Sequence, residues 1–129
     1  MMRASEYSQW LRRGRGHQLH GRAIDAMLCF RRAQRADPRA SDAPFHLGEV
    51  LWQLGRAPDA IAAWRDAMAA NSTHLAPTLA LAEASLAVGD LRAATGAADA
   101  ALRIAPDSPR AIIIGALARL LGGEIDRPG

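Results

Sequence analysis

The sequence predicts an all-α chain, a solenoid of paired helices, and three observations carry that prediction. Sliding the chain against itself by 34 residues aligns Gly21, Gly55, Gly89 and Gly123 in one column, Ala26, Ala60 and Ala94 in a second, and Ala33, Ala67 and Ala101 in a third. Self-similarity at such a period marks a helical repeat array. Stop signals return at matching places, at Asp37-Pro38, Asn71-Ser72 and Pro106. The composition is 50% hydrophobic but only 5% aromatic, which suits thin, closely packed helices and not a thick globular core.

The elements follow in order. Residues 1–6 are expected as a frayed start. The first helix is expected from Tyr7 to His20 and ends at Gly21, since glycine tolerates the left-handed conformation of a helix C-terminus. The second runs from Arg22 to Arg35 and stops at Asp37-Pro38, because the residue before proline disfavours helical geometry. Ser41 is the expected N-cap of the third, which runs to Leu54. Gly55-Arg56-Ala57 turns the chain. Pro58 sits in the first turn of the fourth helix, where its missing N–H costs nothing. The fifth covers Leu75–Val88, with Gly89-Asp90 as turn and N-cap, and the sixth covers Leu91–Ile104. Ser108-Pro109 starts a seventh, to Leu121, and residues 123–129 are expected as a disordered tail. The whole reads as one domain over 7–122, with repeats 7–40, 41–74 and 75–108 and a half repeat 109–122. Gly14, Gly48 and Ala82 on the first helices should face Ala26, Ala60 and Ala94 on the second. Trp10, Leu47, Leu51, Phe30 and Trp64 should fill the space between neighbouring pairs.

These residues resemble the tetratricopeptide repeat, a helix–turn–helix unit of 34 residues. Repeat two carries the pattern in Leu47, Gly48, Leu51, Gly55, Ala60, Trp64 and Ala67. Repeat one carries it in Trp10, Gly14, Gly21, Ala26, Phe30, Ala33 and Pro38. Repeat three is more eroded, keeping Leu81, Ala82, Gly89, Ala94, Ala101 and Pro106. The resemblance implies a right-handed superhelix of three repeats plus a seventh helix. It also implies an inner surface, lined by the first helix of each pair, on which extended peptides lie. It does not extend to the clamp that some members use for acidic chaperone tails: Leu11, Arg15, His46, Ala76 and Ala80 stand at its positions, and only Arg15 supplies positive charge. The asparagine ladder of the glycosyltransferase members is missing too.

Charge is uneven along the chain. Residues 1–40 carry nine Arg against three acids, and residues 41–129 carry seven Arg against ten acids. The basic end reads as a solvated cap, with an acidic partner as the sharper alternative. The single cysteine, Cys29, excludes an intramolecular disulfide and reads as a small packed residue. Four histidines, His17, His20, His46 and His74, lack the companions of a zinc site. No nucleophile elbow, phosphate loop or dinucleotide fingerprint appears. The expectation is therefore a cytoplasmic, non-enzymatic chain with no cofactor, no metal and no membrane segment.

Binding residues are sought on the first helices. Leu11, Arg12 and Arg15 come from repeat one; Phe45, His46, Glu49 and Trp52 from repeat two; Leu79 and Glu83 from repeat three. Trp52 stands out, because Trp64 already fills the aromatic packing column and exposed Trp and Arg are typical interface anchors. The last helix, Ala111-Ile112-Ile113-Ile114-Gly115-Ala116-Leu117, is apolar nearly all round, and terminal repeats normally need a polar outer face. Ile113, Ile114, Leu117 and Leu121 are thus expected as a surface for a second copy (a homodimer), for another protein, or for a following helix of a longer chain. The function expected is an adaptor that binds a protein or peptide. The alternatives are a regulatory or substrate-presenting domain of a larger enzyme, and polyanion or nucleic-acid binding through the arginine-rich first repeat. The last is the weakest, because those arginines spread around both helices.

Overall fold

A computed structural model describes residues 2–123, which fall into two compact units dividing between Ser72 and Thr73. The first unit holds α1 (Met2–Leu19), α2 (Ala23–Ala36), α3 (Asp42–Gln53) and α4 (Ala57–Ala70). The second holds α5 (Leu75–Ala87), α6 (Leu91–Ile104) and α7 (Pro109–Leu121). Helix α1 begins at Met2 and not at Tyr7, so the frayed start expected for 1–6 is helical from its second residue. Met1 and residues 124–129, most of the expected tail, lie outside the described residues.

Within each unit, helices pack on their sequence neighbours. In the first, α1 lies on α2, α2 on α3 and α3 on α4, with a lighter contact of α1 on α3. In the second, α5 lies on α6, α6 on α7, and α5 also meets α7. The turns that fold each pair are built alike. Gly21, Gly55, Gly89 and Gly123 all hold φ between 72° and 82°, a region that a Cβ penalises. After the first three, the next residue donates its N–H back five positions: Arg22 to His17, Arg56 to Leu51 and Asp90 to Ser85, at 2.8–2.9 Å. That is the glycine-terminated helix end which satisfies otherwise orphaned carbonyls.

Helix starts are less uniform. Asp90 and Ser108 accept from the N–H of Ala93 and Ala111, as their side chains suggest. Ser41 precedes α3 but has helical torsions and makes no capping bond, contrary to expectation.

The nearest neighbours of Gly14 and Gly48 are aromatic rings, a contact the sequence reading did not assign them. A Cβ on Gly14 would stand 2.5 Å from Phe30 Cε1, and one on Gly48 2.6 Å from Trp64 Cδ1. Each glycine leaves room for an aromatic ring of its own partner helix. Ala26, Ala60 and Ala94 are fully buried all the same, as are Ala33, Ala67 and Ala101. Leu47, Leu51, Phe30 and Trp64 are buried as expected, but Trp10 is half-exposed, with the guanidiniums of Arg13 and Arg32 at 5.1 and 4.7 Å from its ring. Cys29 is buried, and burial pushes its thiol up, which suits a packed residue and not a nucleophile.

Candidate functional site

Helices α1 and α3 are consecutive first helices, and their shared face is the candidate site. Two hydrogen bonds join them, both between residues 31 apart: Arg15 to His46 Nε2 at 3.0 Å, and Gln18 to Glu49 at 3.2 Å. The spacing has a simple origin. It is one repeat minus about one helical turn, so complementary side chains at this offset meet across successive first helices. Glu49 closes the set by accepting from His46 Nδ1 at 2.7 Å.

His46 is not a surface histidine. Its side chain is only 12% exposed, stacked on Phe30 at 5.6 Å between ring centroids and tilted against Phe45 at 5.0 Å. Burial pushes the Glu49 carboxyl up. The hydrogen bonds from His46 and Gln18 and the charge of Arg15 outweigh that and hold it below the ordinary carboxylate range.

Beside this polar set stands an aromatic one. Trp64 donates from its indole N–H to the Phe45 carbonyl at 3.1 Å. Trp52 rests against Trp64, with ring centroids 6.0 Å apart, and keeps 37% of its surface exposed. It is therefore partly a packing residue as well as a surface one. Phe45 and Leu11 are half-buried and Arg12 is exposed. The first unit thus brings Arg15, His46 and Glu49 into contact and sets Phe45 and Trp52 beside Trp64.

The second unit answers differently. Leu79 is 6% exposed and packs with Ala101 and Ala111, so it is a core residue and not a surface contact. Its side chain falls on the side of α5 that meets α6 and α7. Glu83 is exposed and paired with Arg110 of α7. Ile114 is likewise buried, at 6%, on the face of α7 that packs inward. Ile113, Leu117 and Leu121 remain exposed, with Ile112 and Leu120 beside them. Arg119 binds both carboxylate oxygens of Asp99, at 2.9 and 3.1 Å. Both arginines of α7 are thus tied to neighbouring helices.

Sequence reasoning missed Gln18 and the pairing of Arg15 with His46. The signal was present, since both pairs share the offset of 31, but it becomes visible only when complementary residues are sought one turn short of the repeat. Among the described residues, no cluster of three or more His, Cys, Asp or Glu could hold a metal ion. None of the described helices is long and apolar enough to cross a membrane.

No protein-family model and no curated protein matches the sequence. Solved structures do. A structure described as the first TPR of Spaghetti (RPAP3), bound to the HSP90 peptide SRMEEVD, superposes with a TM-score of 0.84 over 92% of this chain and 94% of that one, at 17% identity. The protein MamA gives 0.86 over 95% and 67%, at 20% identity. The Yersinia enterocolitica secretion chaperone SycD, in complex with a peptide of the translocator YopD, gives 0.80 over 89% and 93%, at 18% identity. The chain has the tetratricopeptide-repeat fold. In the register of that repeat, α1, α3, α5 and α7 are first helices, and α2, α4 and α6 are second helices. The Arg15–His46–Glu49 set lies on first helices alone.

Proposed function

We propose that this chain is a peptide-binding adaptor without chemistry of its own, working in the cytoplasm, and that its docking face is the shared surface of α1 and α3. The observation that carries this reading is the exposed Trp52 indole beside an ordered set of Arg15, His46 and Glu49 on two consecutive first helices. Rigid aromatic and arginine side chains at the centre of a surface supply most of the energy of an interface. Arg12 and the edge of Phe45 extend the face. Two structures with this fold hold peptides, one from HSP90 and one from YopD, which supports peptide docking as the mode. The test is a peptide array followed by fluorescence anisotropy on the strongest sequence. Trp52→Ala should weaken that peptide by about tenfold or more. Equal binding by wild type and Trp52→Ala, with the variant folded, would remove this face from the account.

A second reading concerns α7. Ile113, Leu117 and Leu121 form an exposed apolar stripe, and its helix has both arginines engaged elsewhere. We propose that this stripe pairs with its copy in a second chain. Sedimentation equilibrium should show a dimer that Leu117→Glu converts to monomer; a wild-type monomer at all concentrations would end this reading.

A further inference from the structure

The outer side of the first helix pair departs from its own repeat. Ile24, Leu28, Arg31 and Arg35 are exposed and fall at helical spacing, so they form one stripe along α2. The same register holds Pro58, Ala62, Arg65 and Ala69 on α4, and Arg92, Gly96, Asp99 and Arg103 on α6. Those faces are small or mixed in charge. On α2, two large apolar residues lead instead into a basic end. An exposed apolar patch rimmed by charge has the make-up of an interaction surface.

Helix α1 completes that surface. The guanidiniums of Arg13 from α1 and Arg32 from α2 lie over the Trp10 ring, at 5.1 and 4.7 Å from its centroid. The attraction of a cation to the π face restrains both long side chains and leaves their N–H donors for other groups. Among the described residues, neither arginine has a carboxylate partner. Arg110 and Arg119 of α7, by contrast, are tied to Glu83 and Asp99. Beside the stacked arginines opens a cleft of about 230 Å³, lined by Trp10, His17, Asp25, Leu28, Cys29 and Arg32. It is smaller than an ordinary small-molecule pocket and has room for one large side chain.

The charges select the occupant. Guanidinium forks match carboxylates, and Leu28 offers apolar contact. A phospholipid surface or a nucleic acid would spread negative charge over the whole side. That side also holds Asp25 on the cleft wall and Glu6 one turn before Trp10. Asp25 and Arg32 stand seven residues apart, about 10 Å along α2. A protein segment can set its acids at Arg13 and Arg32 alone and keep them away from Asp25.

We propose that the outer side of α1 and α2 docks an acidic segment of a partner protein that also carries a large apolar side chain. Arg13 and Arg32 hold its carboxylates, and the apolar side chain enters the cleft against Leu28. Arg13 and Arg15 point to different sides of α1, so this surface is separate from the α1–α3 face and does not depend on what that face binds.

The probe is a blocked peptide of four Glu-Glu-Leu units, with Gln-Gln-Leu and Glu-Glu-Ser peptides as controls, followed by fluorescence anisotropy. Both controls should bind about tenfold or more weakly than the probe. Arg13→Gln combined with Arg32→Gln should weaken the probe by about tenfold or more, and Leu28→Ser by about tenfold. Trp52→Ala should change it less than about twofold. NMR of the wild type needs no variant: the probe should shift the Trp10 indole N–H and leave that of Trp52 in place. Equal binding of the Glu-Glu-Leu and Glu-Glu-Ser peptides would mean that charge alone holds the ligand, and would overturn the proposal. A loss in Trp52→Ala as large as in the arginine pair, or a shift at Trp52 and not at Trp10, would move the probe to the α1–α3 face and overturn it too. Phosphatidylserine vesicles that bind through Leu28 while the peptide does not would make a membrane the occupant and end it. Array peptides that ignore Trp52→Ala would remove the α1–α3 face and leave this surface standing.

Discussion

Pairs two and three occupy the same register of one repeat and solve the same packing problem in different ways. In α3 and α4, Gly48 has no side chain and the Trp64 ring lies on it. In α5 and α6, the equivalent residues are Ala82 and Ala98, both fully buried. Pair one, with Gly14 under Phe30, follows pair two. One member of the couple is large when the other is absent, and both are small otherwise. What the repeat keeps is the burial of both positions, not the identity or the volume of either, since two alanines fill much less space than a glycine and a tryptophan.

The widest test of that contrast is to empty the large position. Trp64→Ala should destabilise the chain by about 3–5 kcal/mol, through lost burial and the cavity left behind. Ala98→Gly, at the same register of pair three, should cost about 1 kcal/mol, the helix-propensity difference. Urea unfolding measures both, and equal losses would mean that the two pairs do not differ as described.

A smaller effect carries a reversed sign. Alanine is the better helix former by about 1 kcal/mol, so Gly48→Ala would stabilise an unconstrained helix. Here its Cβ would meet the Trp64 ring, and a net loss of about 1–3 kcal/mol is expected. Adding Gly48→Ala to Trp64→Ala should cancel most of that loss, since the ring that opposes the Cβ is gone. A double-mutant cycle with no coupling between the two sites would show that the ring does not set the glycine.

The smallest effect contrasts the carboxylates of the two units. Glu49 in the first has its carboxyl held below its ordinary value of 4.5. Its contribution to stability is therefore present above pH 4.5 and is lost as pH falls through the lower folded value. Glu49→Gln should flatten that part of the acid limb. Glu83 in the second unit sits in an exposed ion pair, and Glu83→Gln should change stability by less than about 1 kcal/mol. Thermal melts between pH 3 and pH 7 would separate them.

Much of this was legible in the sequence. The glycine column gave every interhelical turn within a pair, because φ near 75° is a local demand that few other residues meet. Helix ends followed from Pro38, Pro106 and Ser108 for the same local reason. The facing of side chains was less legible. That Gly48 lies against Trp64, 16 positions on, depends on the rotation of two helices about their axes. So does the burial of Leu79 and Ile114, which share helices with exposed neighbours. The polar set was half read: His46 and Glu49 were chosen one by one, but the bond from Arg15 that ties them into a unit needs the offset between α1 and α3. Ser41 misled because its residue type suits a cap that its torsions do not form.

The neighbour-on-neighbour packing of α1 to α4 has a consequence for how the protein is made. Every helix of the first unit rests on partners that precede or follow it closely in the chain. A ribosome that has released residues 1–72 has already delivered all four helices of this unit and the contacts among them. Contacts of short sequence separation form early, because little loop entropy opposes them. The first unit can thus bury Phe30 and Trp64 during synthesis, before α5 has left the exit tunnel, and two of the chain's largest apolar side chains spend little time exposed to other nascent chains.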